Sequence, residues 1–570
     1  MYPIPHSEQL IENRTCRKCS TAFPITDKDM DFYSKVSPTF GGKKYQIPSP
    51  TLCPDCRQQR RLSFHNERKL YKSVCKGTGK NIISVYPPHS PYLVFSTEYY
   101  WSDSWDPIDY GLDYNSSISF FDQFTDLFRK IPKQALVVKE CENSDYLNFA
   151  YKVKNCYLIF ASSENEDSYF GNRVNESKNC VDCLLVKKSE HCYECIGASQ
   201  CYNCKYSERI QNCKNSSFLK DCMNCSDCFM CINLQNKKYC IKNVEYSESE
   251  YREKRDEYEK ISQGILISEY SAFITNEPRK QGHIIQVENT LGDNIQNAKD
   301  GKYVFDGDMI ENVSYSYFID YIKDSMDVNY GNINNVLQYE SLGTWANAHN
   351  ILFSINTWPD VYNLIYCDSC SWSSYCFGCT WLRNKSYCIL NRQYTKEEYE
   401  VLVPKIIEKM MFDWEWWEFF PVSLSPFGYN ETVANEYFPL EKEQAKILHF
   451  NWSDYEAPFP KVEKIIQASR LPDSIEWIPD DILNWAIECE VSEKPFRIIK
   501  QELEFYRKHS LPIPKRHPDV RHMDRMKLRN PRKLFERKCD KCNKDMITTY
   551  SPERPERVYC EECYEKEVLS

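Results

Sequence analysis

Cysteines set two residues apart constrain this chain more than any other feature. Cys16-Arg-Lys-Cys19 is followed after thirty-three residues by Cys53-Pro-Asp-Cys56. Near the other end, Cys539-Asp-Lys-Cys542 is followed after seventeen by Cys560-Glu-Glu-Cys563. Each Cys-x-x-Cys forms a knuckle that offers two thiolates to one ion. Two knuckles close a tetrahedral four-sulfur shell of the structural zinc type, with no position left for substrate. The expected metal load is therefore about two Zn2+, held by Cys16, Cys19, Cys53, Cys56 and by Cys539, Cys542, Cys560, Cys563.

A chain of 570 residues with 29 cysteines, an odd number, is too long to need a disulfide framework. Its first residues, MYPIPHSEQLIENRT, lack the charged and apolar regions of a signal peptide, and no apolar run reaches 18 residues. The expected compartment is the cytoplasm, with reduced thiols and no membrane partner. The net charge of −10 excludes a protein that coats nucleic acid along its whole length, although a local basic patch remains compatible with it.

The two ends are copies of one cassette. Arg61, Asn66, Arg68, Lys69, Leu70, Tyr71 and Cys75 recur at a constant offset as Arg525, Asn530, Arg532, Lys533, Leu534, Phe535 and Cys539. Residues 75–100 therefore read as a second ribbon whose ligands have been replaced by Thr78, Ser96 and Tyr99. Upstream of Cys539 the reverse holds. Phe23, Phe32, Tyr33 and Arg57 recur as Phe496, Phe505, Tyr506 and Arg521, and Cys489, Ser492, His517 and Val520 stand in the four ligand places. Each terminus is expected to carry one intact and one degenerate ribbon.

The middle is also duplicated. Cys228, Cys231, Asn236, Lys237, Tyr239 and Cys240 recur 148 residues later as Cys376, Cys379, Asn384, Lys385, Tyr387 and Cys388. Capping boxes follow at Ser247 with Glu250 and at Thr395 with Glu398, predicting helices over 248–262 and 396–410, the second kinked at Pro404. Residues 180–200 align with 201–221, which predicts a β-solenoid coil of 21 residues. The second copy is more irregular, with Asn312, Asn335, Asn350 and Asp360 as its markers. A knuckle-rich or disordered arrangement is the rival reading.

The central cysteines, Cys222, Cys225, Cys228, Cys231 and Cys367, Cys370, Cys376, Cys379, have three readings. They fill narrow coil corners, they bind extra zinc, or they hold an iron–sulfur cluster. The first is preferred, because small apolar thiols suit tight corners. The last is least favoured, because the terminal Cys-Pro of a ferredoxin run is missing. The aromatic segment from 412, with Trp414, Trp416, Trp417, Phe419 and Phe420, reads as a strap that buries its rings across neighbouring modules in preference to a partner-docking segment.

No phosphate-loop, nucleophile-elbow, HExxH or dinucleotide motif is present, and the ten histidines are scattered. The best binding candidate is the basic linker 515–538, with Arg521, Arg525, Arg529, Arg532 and Lys533 as phosphate contacts and Tyr550 and Tyr559 as stacking rings. The opposing reading is that these arginines form internal ion pairs.

The blocks CPDCRQQRR, EFFPVSLSPFGYNET, RNPRKLFERKCDKC and YSPERPERVYCEECY resemble multi-zinc-ribbon proteins of uncultivated bacteria with reduced genomes, a family with no established activity. The resemblance implies a bacterial cytosol and zinc at the eight terminal cysteines, and at no residue of the degenerate modules.

The sequence thus predicts a mainly β fold with some α, in which terminal zinc-ribbon modules flank two β-solenoid-like blocks, each followed by a helix. The expected units are a ribbon with basic linker (1–74), a degenerate ribbon and connector (75–140), solenoid block 1 plus helix (141–265), a linker (266–302), solenoid block 2 plus helix (303–411), the aromatic strap (412–480), a degenerate ribbon with basic linker (481–538) and a ribbon (539–570). The expected function is that of a non-catalytic, zinc-stabilised binding or scaffold protein, with RNA or DNA, or another protein, as partner. The alternative is a metal-cluster or redox enzyme built on the central cysteines.

Overall fold

The computed structural model describes residues 2–568 except 457 and 459. Its fold is mainly β with some helix, organised around two parallel β-solenoid blocks, with the cysteine ribbons near the two ends of the chain. In the first block every third residue from Glu140 to Lys242 has a positive φ. Strand partners are twelve residues apart, as in Asn148 with Phe160, Phe160 with Asn172 and Asn172 with Leu184. One coil is therefore four short sides joined by four left-handed corners. The residue after each corner points inward, and the next points out.

This triplet rule explains the cysteines. Cys180, Cys183, Cys192, Cys195, Cys201, Cys204, Cys222, Cys225, Cys228 and Cys231 each follow a corner residue and are buried. Cys-x-x-Cys recurs because it places thiols on adjacent sides of one coil. The expected 21-residue coil is corrected to twelve. A shift of 21 is seven triplets, so it preserves the inward, outward and corner pattern without closing a whole number of turns. The hydrogen-bonded register alone fixes the coil length.

The second block mixes coil lengths. Ile284 pairs with Ile295, Phe305 with Tyr317, Ile322 with Asn335 and Ala348 with Val361, which gives steps of 11, 12, 13 and 13. Single inserted residues, as where both Ile333 and Asn334 have positive φ, move the triplet phase along the chain. That drift is why this copy looks irregular in sequence.

The interior is narrow and suits small side chains. The Cys180 thiol donates to the carbonyls of Lys178 and Ser189, both at 3.5 Å. Serines take the same place: Ser177 donates to Asn175 O at 2.7 Å and accepts from Ser189 N at 3.2 Å. A non-glycine residue in the left-handed region costs about 1–2 kcal/mol. Asparagine and aspartate lower that cost, and here they also link neighbouring coils. Asn212 donates to Asn224 and Asn224 to Asn236, each at 2.9 Å.

Both predicted capping boxes form, at Ser247 and Thr395. The helix after the first is Glu248–Tyr258, ending short of residue 262, and a second helix, Gln263–Thr275, follows it. The helix after the other box is Lys396–Phe412, with Pro404 inside it. The strap buries Trp416, Phe419 and Phe420 against Phe64, Phe121, Phe124 and Tyr366, while Trp414 is 80% exposed. The chain ends cross over. The N-terminal ribbon helix, Pro54–Leu62, lies on the second block, and the helix Pro518–Leu528 lies on the first. They meet where Asp519 pairs with Lys69 and with Arg68. Among the described residues no helix is long and apolar enough to cross a membrane.

Replacing Asn224 with Val puts a β-branched residue in a left-handed corner and removes two rungs of the ladder. We expect a loss of about 1–2 kcal/mol, read as a lower urea midpoint, and a smaller loss for Asn224→Gly.

Candidate metal centres

Each intact ribbon is built from a knuckle and a helix start. Cys16 and Cys19 flank a turn closed by Ser20, whose φ is 59° and whose N–H donates to Cys16 O at 2.9 Å. Cys53 caps the helix Pro54–Leu62, and Cys56 lies in its first turn. At the other end Asn543, with φ 61°, closes the Cys539 knuckle in the same way, and Cys560 directly precedes the helix Glu561–Val568, which contains Cys563. Helix N-termini favour thiolates.

In both sets the four sulfurs lie within 4.8 Å of one another. Cys19 Sγ is 3.6 Å from Cys53 Sγ, and Cys542 Sγ is 3.7 Å from Cys560 Sγ. Zn–S bonds of 2.3 Å in a tetrahedron set sulfurs about 3.8 Å apart, so the donor set fits zinc. Local hydrogen bonds favour one thiolate in each set, while burial and neighbouring sulfurs push Cys19, Cys56, Cys560 and Cys563 up. Burial pushes Cys539 up, but the N–H groups of Cys542 and Cys560 outweigh it and hold this thiol down to about 6. Cys53 is held down to about 4, chiefly by hydrogen bonding from Cys56.

The degenerate ribbons keep the same backbone. Gly79 and Glu493 have positive φ and donate to Cys75 O and Cys489 O at 2.8 and 3.0 Å. Ser96 N donates to Cys75 Sγ at 3.2 Å, as Cys560 N does to Cys539 Sγ at 3.3 Å. Tyr99, in the place of Cys563, lays its ring over Gly77, where an added Cβ would meet it at 2.2 Å. His517 caps the helix Pro518–Leu528 by accepting from Asp519 N at 3.1 Å through Nδ1. Hydrogen bonds and a packed ring stand where the other two ribbons have ligands.

The central thiols have a different geometry. Cys222, Cys225, Cys228 and Cys231 follow successive corners of a coil and donate to main-chain carbonyls at 3.2–3.3 Å. Cys367, Cys370, Cys376 and Cys379 also follow corners, with Ser373 after the one between, and donate at 3.4–3.6 Å. Among the described residues, no three of these thiols converge within 4.8 Å.

The basic linker is turned inward. Arg521 pairs with Asp182 and, at 3.5 Å, with Glu502, while Arg525 pairs with Asp182 at 3.0 Å and Glu194 at 3.5 Å. Arg529 and Arg532 share Asp306, and Arg532 also lies 3.9 Å from the centre of the Tyr437 ring. Only Lys533 of the five expected phosphate contacts is exposed. As phosphate contacts the four arginines are therefore corrected to internal anchors. The physical reason is that corner carboxylates of the solenoid face them across a largely buried interface.

The N-terminal helix repeats this arrangement on the other block. Arg57 pairs with Asp327 at 2.8 Å, and Arg61 pairs with Asp327 at 3.2 Å and Glu340 at 2.9 Å. Asp182, Glu194, Asp327 and Glu340 all have positive φ. In each block the Asp and Glu stand at corners one coil apart. The same matching holds further along. Tyr564 donates to Asn233 at 2.9 Å, and its counterpart Tyr100 packs edge-on against Trp381, the counterpart of Asn233, with ring centres 5.1 Å apart. The arginine pairs at i and i+4 were visible in the sequence. Their carboxylates were not, because they lie hundreds of residues away.

No family model matches the chain, and no curated protein aligns with it. Among solved structures it matches a putative acetyltransferase from Desulfovibrio desulfuricans G20 at 9% identity, over 41% of this chain and 62% of that one, with a TM-score of 0.10. At that score the match carries no likeness of fold or function.

Asp182→Asn leaves two buried guanidiniums without their shared charge. We expect it to cost about 3–5 kcal/mol, with Asp327→Asn costing a similar amount and exposed Asp145→Asn costing little. Urea unfolding of the three variants checks the ranking.

Proposed function

We propose that this chain is a non-catalytic binding or scaffold protein in which two zinc ions lock ribbon clamps onto a double solenoid. One observation carries the reading. The helix that begins at Cys53 and contains Cys56 goes on to bury Arg57 and Arg61 in the second solenoid block. A zinc ion held there fixes the start of the helix that anchors the block. The other intact ribbon is tied to its surroundings in a comparable way. Arg279 N donates to Arg557 O at 2.8 Å, and Thr549 donates to Asp293 at 2.9 Å.

Zinc would supply charge neutralisation for four thiolates and a fixed tetrahedral joint. A shell closed by four sulfurs suits a joint better than a reaction centre. The carbonyl-bonded central thiols favour packing over a cluster enzyme. The many free cysteines support a reducing, cytoplasmic setting. The quoted terminal blocks support kinship with the multi-ribbon proteins of reduced-genome bacteria. Since the linker arginines are internal, a nucleic-acid partner would need another surface.

Elemental analysis of anaerobically purified protein tests the reading together with thermal unfolding. We expect two zinc per chain, matching the two four-cysteine sets, and one in Cys560→Ser. Chelation is expected to lower the unfolding midpoint. A zinc-free protein of undiminished stability, or iron with sulfide, would overturn the proposal.

A further inference from the structure

An open cleft of about 740 Å³ lies between the N-terminal zinc ribbon, the helix Phe120–Lys130 and the strap. Phe121, Phe419 and Phe420 line it, and Arg17, Arg129 and Trp414 also face it. Arg17 stands between the ligands Cys16 and Cys19. Arg17 and Arg129 are exposed and, among the described residues, make no ion pair.

The acidic lining residues are mostly engaged. Glu418 accepts from Arg60 at 2.7 Å and from Thr51 at 3.0 Å. Glu415 accepts from Phe120 N at 3.0 Å, at the start of a helix. Asp122 remains. Lys18 is held by Gln59 at 2.7 Å, and its amine lies 4.5 Å from the centre of the Phe450 ring. Cations that are free to meet a ligand therefore exceed free anions.

Two side chains in this cleft stand where folding alone would place glycine. The helix Lys396–Phe412 is closed by Trp414, with φ 62°, and Glu415 N donates back to Met410 O at 2.8 Å. The helix Lys442–Ile447 is closed by His449, with φ 61°, and Phe450 N donates to Ala445 O at 2.9 Å. A left-handed residue after a helix is usually glycine, which carries no strain there. Trp414 instead holds a large indole 80% exposed. The left-handed turn serves the fold by turning the strap inward, but an exposed indole does not, and this one stands in the same cleft as two guanidiniums unpaired among the described residues.

We propose that this cleft binds an unpaired stretch of RNA or DNA, with a base stacked on Trp414 and the adjacent phosphates on Arg17 and Arg129. A flat aromatic face beside free guanidiniums is the pairing that single-stranded nucleic acid uses. A duplex hides its base faces and would not use the indole. An acidic peptide would need the cations alone. This inference rests on the binding-protein reading and assigns it a site and a partner class.

The test is fluorescence anisotropy of labelled dT12 and U12 with the zinc-loaded full chain. We expect saturable binding with a dissociation constant of about 1–100 µM at moderate salt, weakening with log salt at a slope of about −0.7 per phosphate contacted. Trp414→Gly is expected to bind about tenfold more weakly while its thermal midpoint holds or rises, and Arg129→Gln about fivefold more weakly. Absence of binding at about 100 µM, unchanged binding in both variants, a lower midpoint for Trp414→Gly, or equal competition by duplex or polyglutamate would overturn it. Zinc content measured on the same samples keeps its failure distinct from failure of the scaffold reading.

Discussion

Arg57 and Arg61 on one ribbon helix, and Arg521 and Arg525 on another, reach carboxylates that a solenoid holds at left-handed corners. The rest of the molecule depends on this contact. A guanidinium out of water is costly unless it is paired and hydrogen-bonded. Corners offer that pairing because consecutive coils repeat the same backbone, which stacks an Asp and a Glu one coil apart. The helix answers with arginines at i and i+4, one turn apart on one face. Two spacings set by two kinds of regular backbone thus meet, once on each block.

In the proposed reading, a zinc ion would act one step upstream of this contact. Held by one ion, the four cysteines would fix the first turn of the N-terminal helix, and the arginines follow within the next turn and a half. The degenerate ribbons reach the same shape by other means. They keep the knuckle backbone and its N–H···S bonds, and one fills the vacated space with Tyr99. Hydrogen bonds and packing alone therefore suffice to build this backbone. The solenoid meets the cost of its corners through coil-to-coil asparagine ladders and a thiol-and-serine interior that leaves few inner polar groups unbonded.

The terminal four-cysteine clusters were legible because knuckle chemistry is local: each pair of cysteines and the turn that presents it lie within a few residues. The class of the central fold was legible for the same reason, since Cys-x-x-Cys demands a corner. Coil length was not, because a triplet pattern matches itself at every multiple of three and only strand pairing selects twelve. Of the two readings the sequence left open for the linker arginines, phosphate contacts and internal ion pairs, the structure favours the second. Asp182 stands 339 residues from Arg521, and a charge run carries no trace of a partner so distant. Within the strap, sequence could not separate buried Trp416 from exposed Trp414. The difference comes from the left-handed residue that ends one helix and turns the next rings inward.

Hydrogen–deuterium exchange of the zinc-loaded and zinc-stripped chain tests the clamp account most directly. The account predicts that removing zinc raises exchange beyond the ribbons, in the coils around Asp327 and Glu340 on the second block and around Asn233 on the first. Changes confined to the ribbons themselves, with both solenoid blocks as protected as before, would contradict it.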